Sequence, residues 1–156
     1  MDEKNYHFII IGNSREQNVL KRIVKEKKLK NVELKGYVPI ERAVSFFAAA
    51  RAGICPFLRN PHHDTTFANK LFQYMAFGKP VLVSDCPAQV RVVKESKAGA
   101  VFKAGNARDL VKQIKLLRNE HIYREMSSNA SEAVNKNYNY KQAENELIKL
   151  YKKFER

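Results

Sequence analysis

Short, unbroken apolar runs alternate along this chain with stretches whose apolar residues recur at helical spacing. His7-Phe8-Ile9-Ile10-Ile11-Gly12 is too short for a helix and does not alternate with polar residues. It predicts a strand buried on both faces, as in a parallel sheet. From Arg15 to Leu29, Val19, Leu20, Ile23, Val24 and Leu29 fall near helical spacing among Lys and Glu, which predicts an amphipathic helix. Val32 to Val38 reads as a second strand, Ile40 to Ala50 as a helix around Phe46 and Phe47, and Ala52 to Phe57 as a third strand ended by Pro56. Asn60 to Asp64 reads as a polar loop, and Thr65 or Thr66 as the cap of a helix running to about Phe77. Gly78-Lys79-Pro80 breaks that helix. Val81 to Asp85 is a fourth strand, Ala88 to Glu95 a short helix, and Ala100 to Phe102 a fifth strand set between Gly99 and Gly105. Helices over Ala107 to Arg118, His121 to Asn135 and Lys141 to Phe154 complete the chain.

Strands alternating with helices of this length predict βαβ units and an α/β fold, a parallel sheet of about five to six strands covered on both faces. Ligands in such sheets bind outside the carboxyl ends of the strands. The places to look are therefore Gly12-Asn13-Ser14, Gly36 to Val38, Asn60 to Asn69, and Ser84-Asp85. At about 100–200 residues per domain, residues 1–156 make one domain. Lys plus Arg is 29 and Asp plus Glu is 16, a net charge of +13. That excludes an acidic or neutral surface but by itself identifies no partner. Cys55 and Cys86 are too few for a disulfide framework, and no segment has zinc-ligand spacing, so a reduced, cytoplasmic protein is expected. No run approaches the roughly 18 apolar residues of a membrane span, and Met1 to Asn5 does not read as a signal peptide.

The segment from Asn69 to Asp85, reading N-K-L-F-Q-Y-M-A-F-G-K-P-V-L-V-S-D, closely resembles the donor-binding core of retaining glycosyltransferases of the GT-B fold, the glycosyl transferases group 1 family. Ile9 to Gly12, Gly36-Tyr37-Val38, Ala49 to Pro56, and Val92 to Phe102 resemble further family segments in the same order, so the resemblance covers about residues 7–155. It implies a Rossmann-like, three-layer αβα domain, the C-terminal half of a two-domain enzyme, with its last helices at about residues 121–155. It also implies a hexosyl transfer from a nucleoside-diphosphate-sugar, expected to be a UDP-sugar, to an acceptor hydroxyl with retention of configuration. Family members point the N-terminus of the core helix at the diphosphate, here about Thr65-Thr66-Phe67-Ala68, with Asn69 and Lys70 following. Free N–H groups and the dipole at a helix start favour an anion independently of the resemblance. The family's two carboxylates, eight residues apart, fall on Gln73 and Thr65, with Asp64 beside the latter. Asp64, Thr65 and Gln73 are therefore the expected catalytic positions. Gly12, Asn13 and Val38 match places where the family meets the donor. No cofactor and no metal are expected, since the sugar nucleotide is a substrate.

Three departures qualify this expectation. Both carboxylate positions are neutral, and a neutral amide at Gln73 can still hydrogen-bond a ribose. The family's preceding strand and helix, which carry an Arg and a Lys on the diphosphate, are not matched in Met1 to Tyr6, so the first βα unit and the N-terminal acceptor domain are expected to lie outside this chain. The fragment alone is then expected to be inactive. The alternative is a non-catalytic nucleotide- or partner-binding domain. His62-His63-Asp64 looks like a metal cluster but lacks a spaced partner, so a solvated loop near the sugar is the expectation. Asp85 reads as a strand end or helix cap, Cys86 as a small buried residue, and Phe72, Tyr74 and Phe77 as core. The Lys-rich stretch from Lys21 to Lys30 reads most simply as a solvated helix face. Attraction to an anionic membrane surface, hence a peripheral position on the cytoplasmic face, is the sharper alternative. Nucleic acid is not expected, because no aromatic-basic platform accompanies the charge.

Overall fold

The computed structural model describes residues 6–154. The expectations for Met1 to Asn5 and for residue 155 lie outside them. The chain divides into two compact units, one ending at Ala48 and the other beginning at Ala49.

The smaller unit runs β1 (Phe8–Ile11), α1 (Gln17–Glu26), β2 (Val32–Gly36) and α2 (Ile40–Ala49). β1 and β2 pair in parallel, Phe8 opposite Val32 and Ile10 opposite Leu34, with a slip that sets Ile11 opposite Gly36. α1 packs on β2. One expectation is corrected here: β1 is not buried on both faces, since Ile9 and Ile10 are each about two-fifths exposed. β1 pairs on one edge only, and these two side chains stay partly open.

The larger unit runs β3 (Gly53–Cys55), α3 (Pro61–Thr65), α4 (Asn69–Ala76), β4 (Val81–Ser84), α5 (Pro87–Ser96), β5 (Gly99–Phe102), α6 (Ala107–Leu116), α7 (Glu120–Lys136) and α8 (Tyr140–Tyr151). β4 lies between β3 and β5 and is parallel to both. All four of its residues are buried. Val81 and Val83 join a core with Leu71 and Met75 of α4, Val92 and Val93 of α5, and Ala130 and Ala133 of α7. Leu82 faces the other way, into a core with Phe102 and Leu117 that α6 closes through Leu110 and Ile114. Successive strand side chains alternate between faces, so this is the signature of a sheet with helices on both sides. The five described strands thus hydrogen-bond in two groups, with two in the smaller unit and three in the larger.

Two helix boundaries differ from the sequence expectation. The polar loop at Asn60 to Asp64 contains a short helix, because Asn60 caps it through its side chain, Oδ1 accepting from the His63 N–H at 2.7 Å, and Pro61 occupies the first position. Thr65 and Thr66 do not open the next helix. Their hydroxyls turn back and donate to the Pro61 and His62 carbonyls at 2.9 and 2.6 Å, so they end α3. At the other end of the chain, α8 has helical apolar spacing through Tyr140, Leu147, Leu150 and Tyr151, followed by Phe154, and every one of these side chains is at least half exposed.

Gly99 lets β5 lie against β4. A Cβ added there would overlap the Val81 carbonyl, which is fixed in the strand ladder and cannot give way. Overpacking of this kind costs about 1–3 kcal/mol or more. Gly99→Ala is therefore expected to lower the melting temperature by roughly 3 °C or more, at about 2–4 °C per kcal/mol for a chain of this size. A calorimetric melt within 1 °C of the parent would show that β5 can shift freely.

Candidate functional site

Three chain segments meet at the carboxyl end of the larger sheet: the turn leaving β3, the α3 loop, and the turn between β4 and α5. Arg59, just beyond β3, forms a two-pronged ion pair with Asp64 of α3, Nε to Oδ1 at 2.6 Å and Nη2 to Oδ2 at 2.8 Å. The guanidinium holds the Asp64 carboxyl below its ordinary range, the hydrogen bond to Arg59 being the largest cause. The His63 ring stacks on Phe57, with ring centres 4.5 Å apart. Its Nδ1 lies 2.8 Å from the Leu58 carbonyl oxygen. The Lys70 ammonium lies 5.2 Å from the centre of the same Phe57 ring, so one aromatic side chain carries both. Beneath them Cys86 is fully buried, with Sγ 3.6 Å from the Ser84 hydroxyl and 4.0 Å from the Phe57 and Leu58 carbonyls. Burial pushes the Cys55 thiol up to about 11, so it stays protonated and offers no nucleophile. Asp85 accepts from the Ala104 N–H at 2.9 Å and ties the β4 end to the turn after β5.

α4 starts later than the sequence suggests. Ala68 stands at its cap position without a side-chain hydrogen bond. The Leu71 N–H turns back to the Ala68 carbonyl, while the Asn69 and Lys70 N–H groups have no partner among the described residues. An uncapped start with two free donors is where a helix best receives an anion. Lys70 is half-buried in its first turn. Gln73 lies one turn further on the same side of the helix and is exposed.

The sequence-expected residues separate accordingly. Asp64, Thr65, Thr66, Asn69, Lys70 and Gln73 gather around α3 and the start of α4. Both oxygens of Asp64 are engaged by Arg59, and the hydroxyl protons of Thr65 and Thr66 are engaged by α3 backbone. Ala68 is buried, and Phe67 packs against Phe72 with the Arg91 guanidinium 5.3 Å from its ring centre. Those two side chains serve packing, and only their backbone can face a ligand. In the smaller unit, Gly12 takes φ +123°, a conformation that favours glycine, and donates its N–H to the Gly36 carbonyl at 2.7 Å. Asn13 is exposed directly after it, and Val38 is half-buried between β2 and α2. Among the described residues no three His, Cys, Asp or Glu side chains are grouped to hold a metal ion, His62-His63-Asp64 included. No described helix is long and apolar enough to cross a membrane. Sequence reasoning passed over Arg59 and the orientation of His63. The signal that could have found them is Asn60-Pro61, a helix-start pair that brings the following residues back onto the β3 turn.

Residues 1–134 match the glycosyl transferases group 1 family, and the chain belongs to it. It is 24% identical over 129 residues to an uncharacterized glycosyltransferase, MJ1178, of Methanocaldococcus jannaschii, which covers 82% of this chain and 35% of that protein. The chain thus spans about a third of the length of the curated relative it matches. Its fold is similar to the C-terminal domain of the group 1 glycosyl transferase LpcC from Francisella tularensis, with a TM-score of 0.74, 15% identity, and coverage of 89% of this chain and 73% of that one. It is also similar to S. aureus TarM, solved with fondaparinux, α-GlcNAc-glycerol and UDP, with a TM-score of 0.76, 19% identity, and coverage of 93% and 29%. These likenesses establish the Rossmann-like C-terminal fold of GT-B glycosyltransferases.

The Arg59–Asp64 pair makes a pH dependence testable. A carboxyl depressed in the folded state adds stability that is complete above its unfolded value, ordinarily about 3.8, and is lost as the pH falls through the folded value. The melting temperature of Arg59→Gln should therefore trail the parent at pH 7, and the gap should close as the pH falls below about 3.8. A gap that stays constant down to pH 2 would show that the pair does not act through the Asp64 charge.

Proposed function

We propose that this chain is the donor-binding half of a glycosyltransferase that takes a nucleoside-diphosphate-sugar. The observation that carries the reading is the uncapped start of α4, where two free backbone N–H groups and the Lys70 ammonium stand together at the carboxyl end of the sheet. Such a start receives a diphosphate through N–H donors and charge. In the reaction proposed, the bond between the anomeric carbon and the diphosphate breaks and the nucleoside diphosphate leaves with the electron pair. A bond from that carbon to an acceptor hydroxyl forms on the same face, and the hydroxyl proton passes to the leaving diphosphate. The chain's part is to position the donor and stabilise the charge of the leaving diphosphate. No metal is needed for that part. Gln73 is assigned to a ribose hydroxyl. The UDP held by the similar TarM favours a UDP-sugar.

The reading includes a βα unit and an acceptor domain supplied by further polypeptide. The exposed Ile9 and Ile10 on a strand paired along one edge support it, since a two-stranded sheet is marginal alone. A peripheral position on the cytoplasmic face of a membrane, through the Lys-rich α1, belongs to the same proposal. A second reading is favoured by Asp64, whose carboxylate is already spent on Arg59 beside the neutral Thr65 and Gln73. In that reading the domain binds a nucleotide or partner without transferring sugar.

Thermal unfolding with UDP, GDP, ADP and inorganic phosphate tests the proposal. A ligand at 100 times its dissociation constant adds about 2.7 kcal/mol, or roughly 5–11 °C here. One nucleoside diphosphate is expected to give that shift while phosphate does not, and Lys70→Ala should remove most of it. If neither this chain nor one extended by the upstream strand responds to any nucleotide, the donor reading is wrong. Transfer by the chain joined to an acceptor half separates the catalytic from the non-catalytic reading.

A further inference from the structure

We infer that the open edge of β5 is a docking edge for an acidic, extended polypeptide segment, an interaction independent of the donor reading. β5 pairs with β4 and with no other described strand. The Val81 N–H donates to the Ala98 carbonyl at 3.0 Å. In a parallel ladder the bonding groups of a strand come from alternate residues. Ala98, Ala100 and Phe102 therefore face β4, and Gly99 and Val101 turn their N–H and C=O groups outward. Those outward groups have no partner among the described residues. The next outward N–H, that of Lys103, is taken by Asp109 Oδ2 at 2.7 Å, which ends the open stretch. Unpaired donors and acceptors two residues apart on one edge are the template that an added strand requires.

A groove of about 330 Å³ lies at this edge, lined by Gly99, Ala100 and Val101 and by the apolar side chains of Ile122 and Met126 on α7. Charge decides which strand it accepts. Lys94 and Lys97 line the groove before β5, and Lys103 follows the strand. All three are exposed, and none is ion-paired with a described carboxylate. The one acid lining the groove is Glu125. A second copy could offer the same edge only antiparallel about a two-fold axis. Gly99 would then pair with Val101 of the other copy, and Lys97 would stand opposite its Lys103 at both ends. Like charges directly opposite destabilise a strand pair, here between chains that each carry +13. The same lysines attract a segment with carboxylates at its ends, while its main chain bonds Gly99 and Val101 and its middle side chains meet Ile122 and Met126.

Amide hydrogen exchange read residue by residue by NMR tests this. The probes are the peptide acetyl-Glu-Glu-Val-Thr-Val-Glu-Glu-amide and its counterpart with lysine in place of every glutamate. Main-chain bonding tolerates many sequences, so a designed strand is a fair probe. The acidic peptide in large excess is expected to slow exchange at Gly99 and Val101 by about fivefold or more. Ala100 and Phe102, already bonded to β4, should not change, and the lysine peptide should protect neither pair. Lys94→Glu should weaken the acidic peptide by roughly two- to fivefold. Lys141→Glu, the same charge change on α8, should leave its binding as it was. Four results overturn the inference. Neither peptide protects the two amides, or both protect them equally. Lys141→Glu weakens binding as much as Lys94→Glu, which would make the attraction one of net charge alone. The chain sediments as a dimer with Gly99 and Val101 already protected, which would give the edge to a second copy.

Discussion

The burial of β4 on both faces is the constraint on which the larger unit depends. Val81 and Val83 lock α4, α5 and α7 to one side of the sheet, and Leu82 locks α6 to the other. This requires neighbours that come close. Gly53 has no room for a Cβ against the Tyr74 ring, and Gly99 has none against the Val81 carbonyl. With both flanking strands pressed in, the ends of β3 and β4 are fixed to each other. The Ser84 hydroxyl reaches the Cys55 carbonyl at 3.4 Å across that seam. The turns that carry Phe57, Arg59 and Cys86 therefore leave from a rigid edge, which is what allows their side chains to hold defined positions.

From that edge the loop organises itself by short-range polar chemistry. Asn60 caps α3, the Thr65 and Thr66 hydroxyls terminate it, and the Arg59–Asp64 pair ties its last turn to the β3 exit. The two threonines leave Ala68 to begin α4, and an alanine cannot cap. The amides that a Ser or Thr at that point would have satisfied stay open. Termination of one helix and vacancy at the start of the next are thus one local event.

Most of the secondary structure was legible because each kind of element has its own hydrophobic period. The strands at Val81 and Gly99 and the helices around Leu71, Val92 and Ala130 lie where the runs and periods place them. The break between α3 and α4 was not legible. Threonine forms a helix cap as readily as it bonds back to a carbonyl four residues earlier, and the sequence does not show which way a hydroxyl turns. Ile9 and Ile10 show a different limit. Their pattern predicts burial on both faces, and only the structure shows that each stays about two-fifths exposed. At the candidate site, the motif places Lys70 near the start of a helix, and the structure has it in the first turn of α4. The engagement of Asp64 was not legible, because Arg59 sits five residues away and meets it only once α3 has formed.

The exposed stripe of α8 has a consequence for how this chain behaves in solution. Tyr140, Leu147, Leu150, Tyr151 and Phe154 present an apolar strip to water, while a net charge of +13 keeps copies apart. The two act over different ranges. Charge repulsion reaches about 10 Å at 0.1 M salt and only about 3 Å at 1 M, whereas contact between apolar strips does not weaken with salt in that way. Colloidal stability is thus an ionic-strength setting: dilute buffer keeps the molecules dispersed, and concentrated salt removes the barrier while leaving the adhesive strip in place.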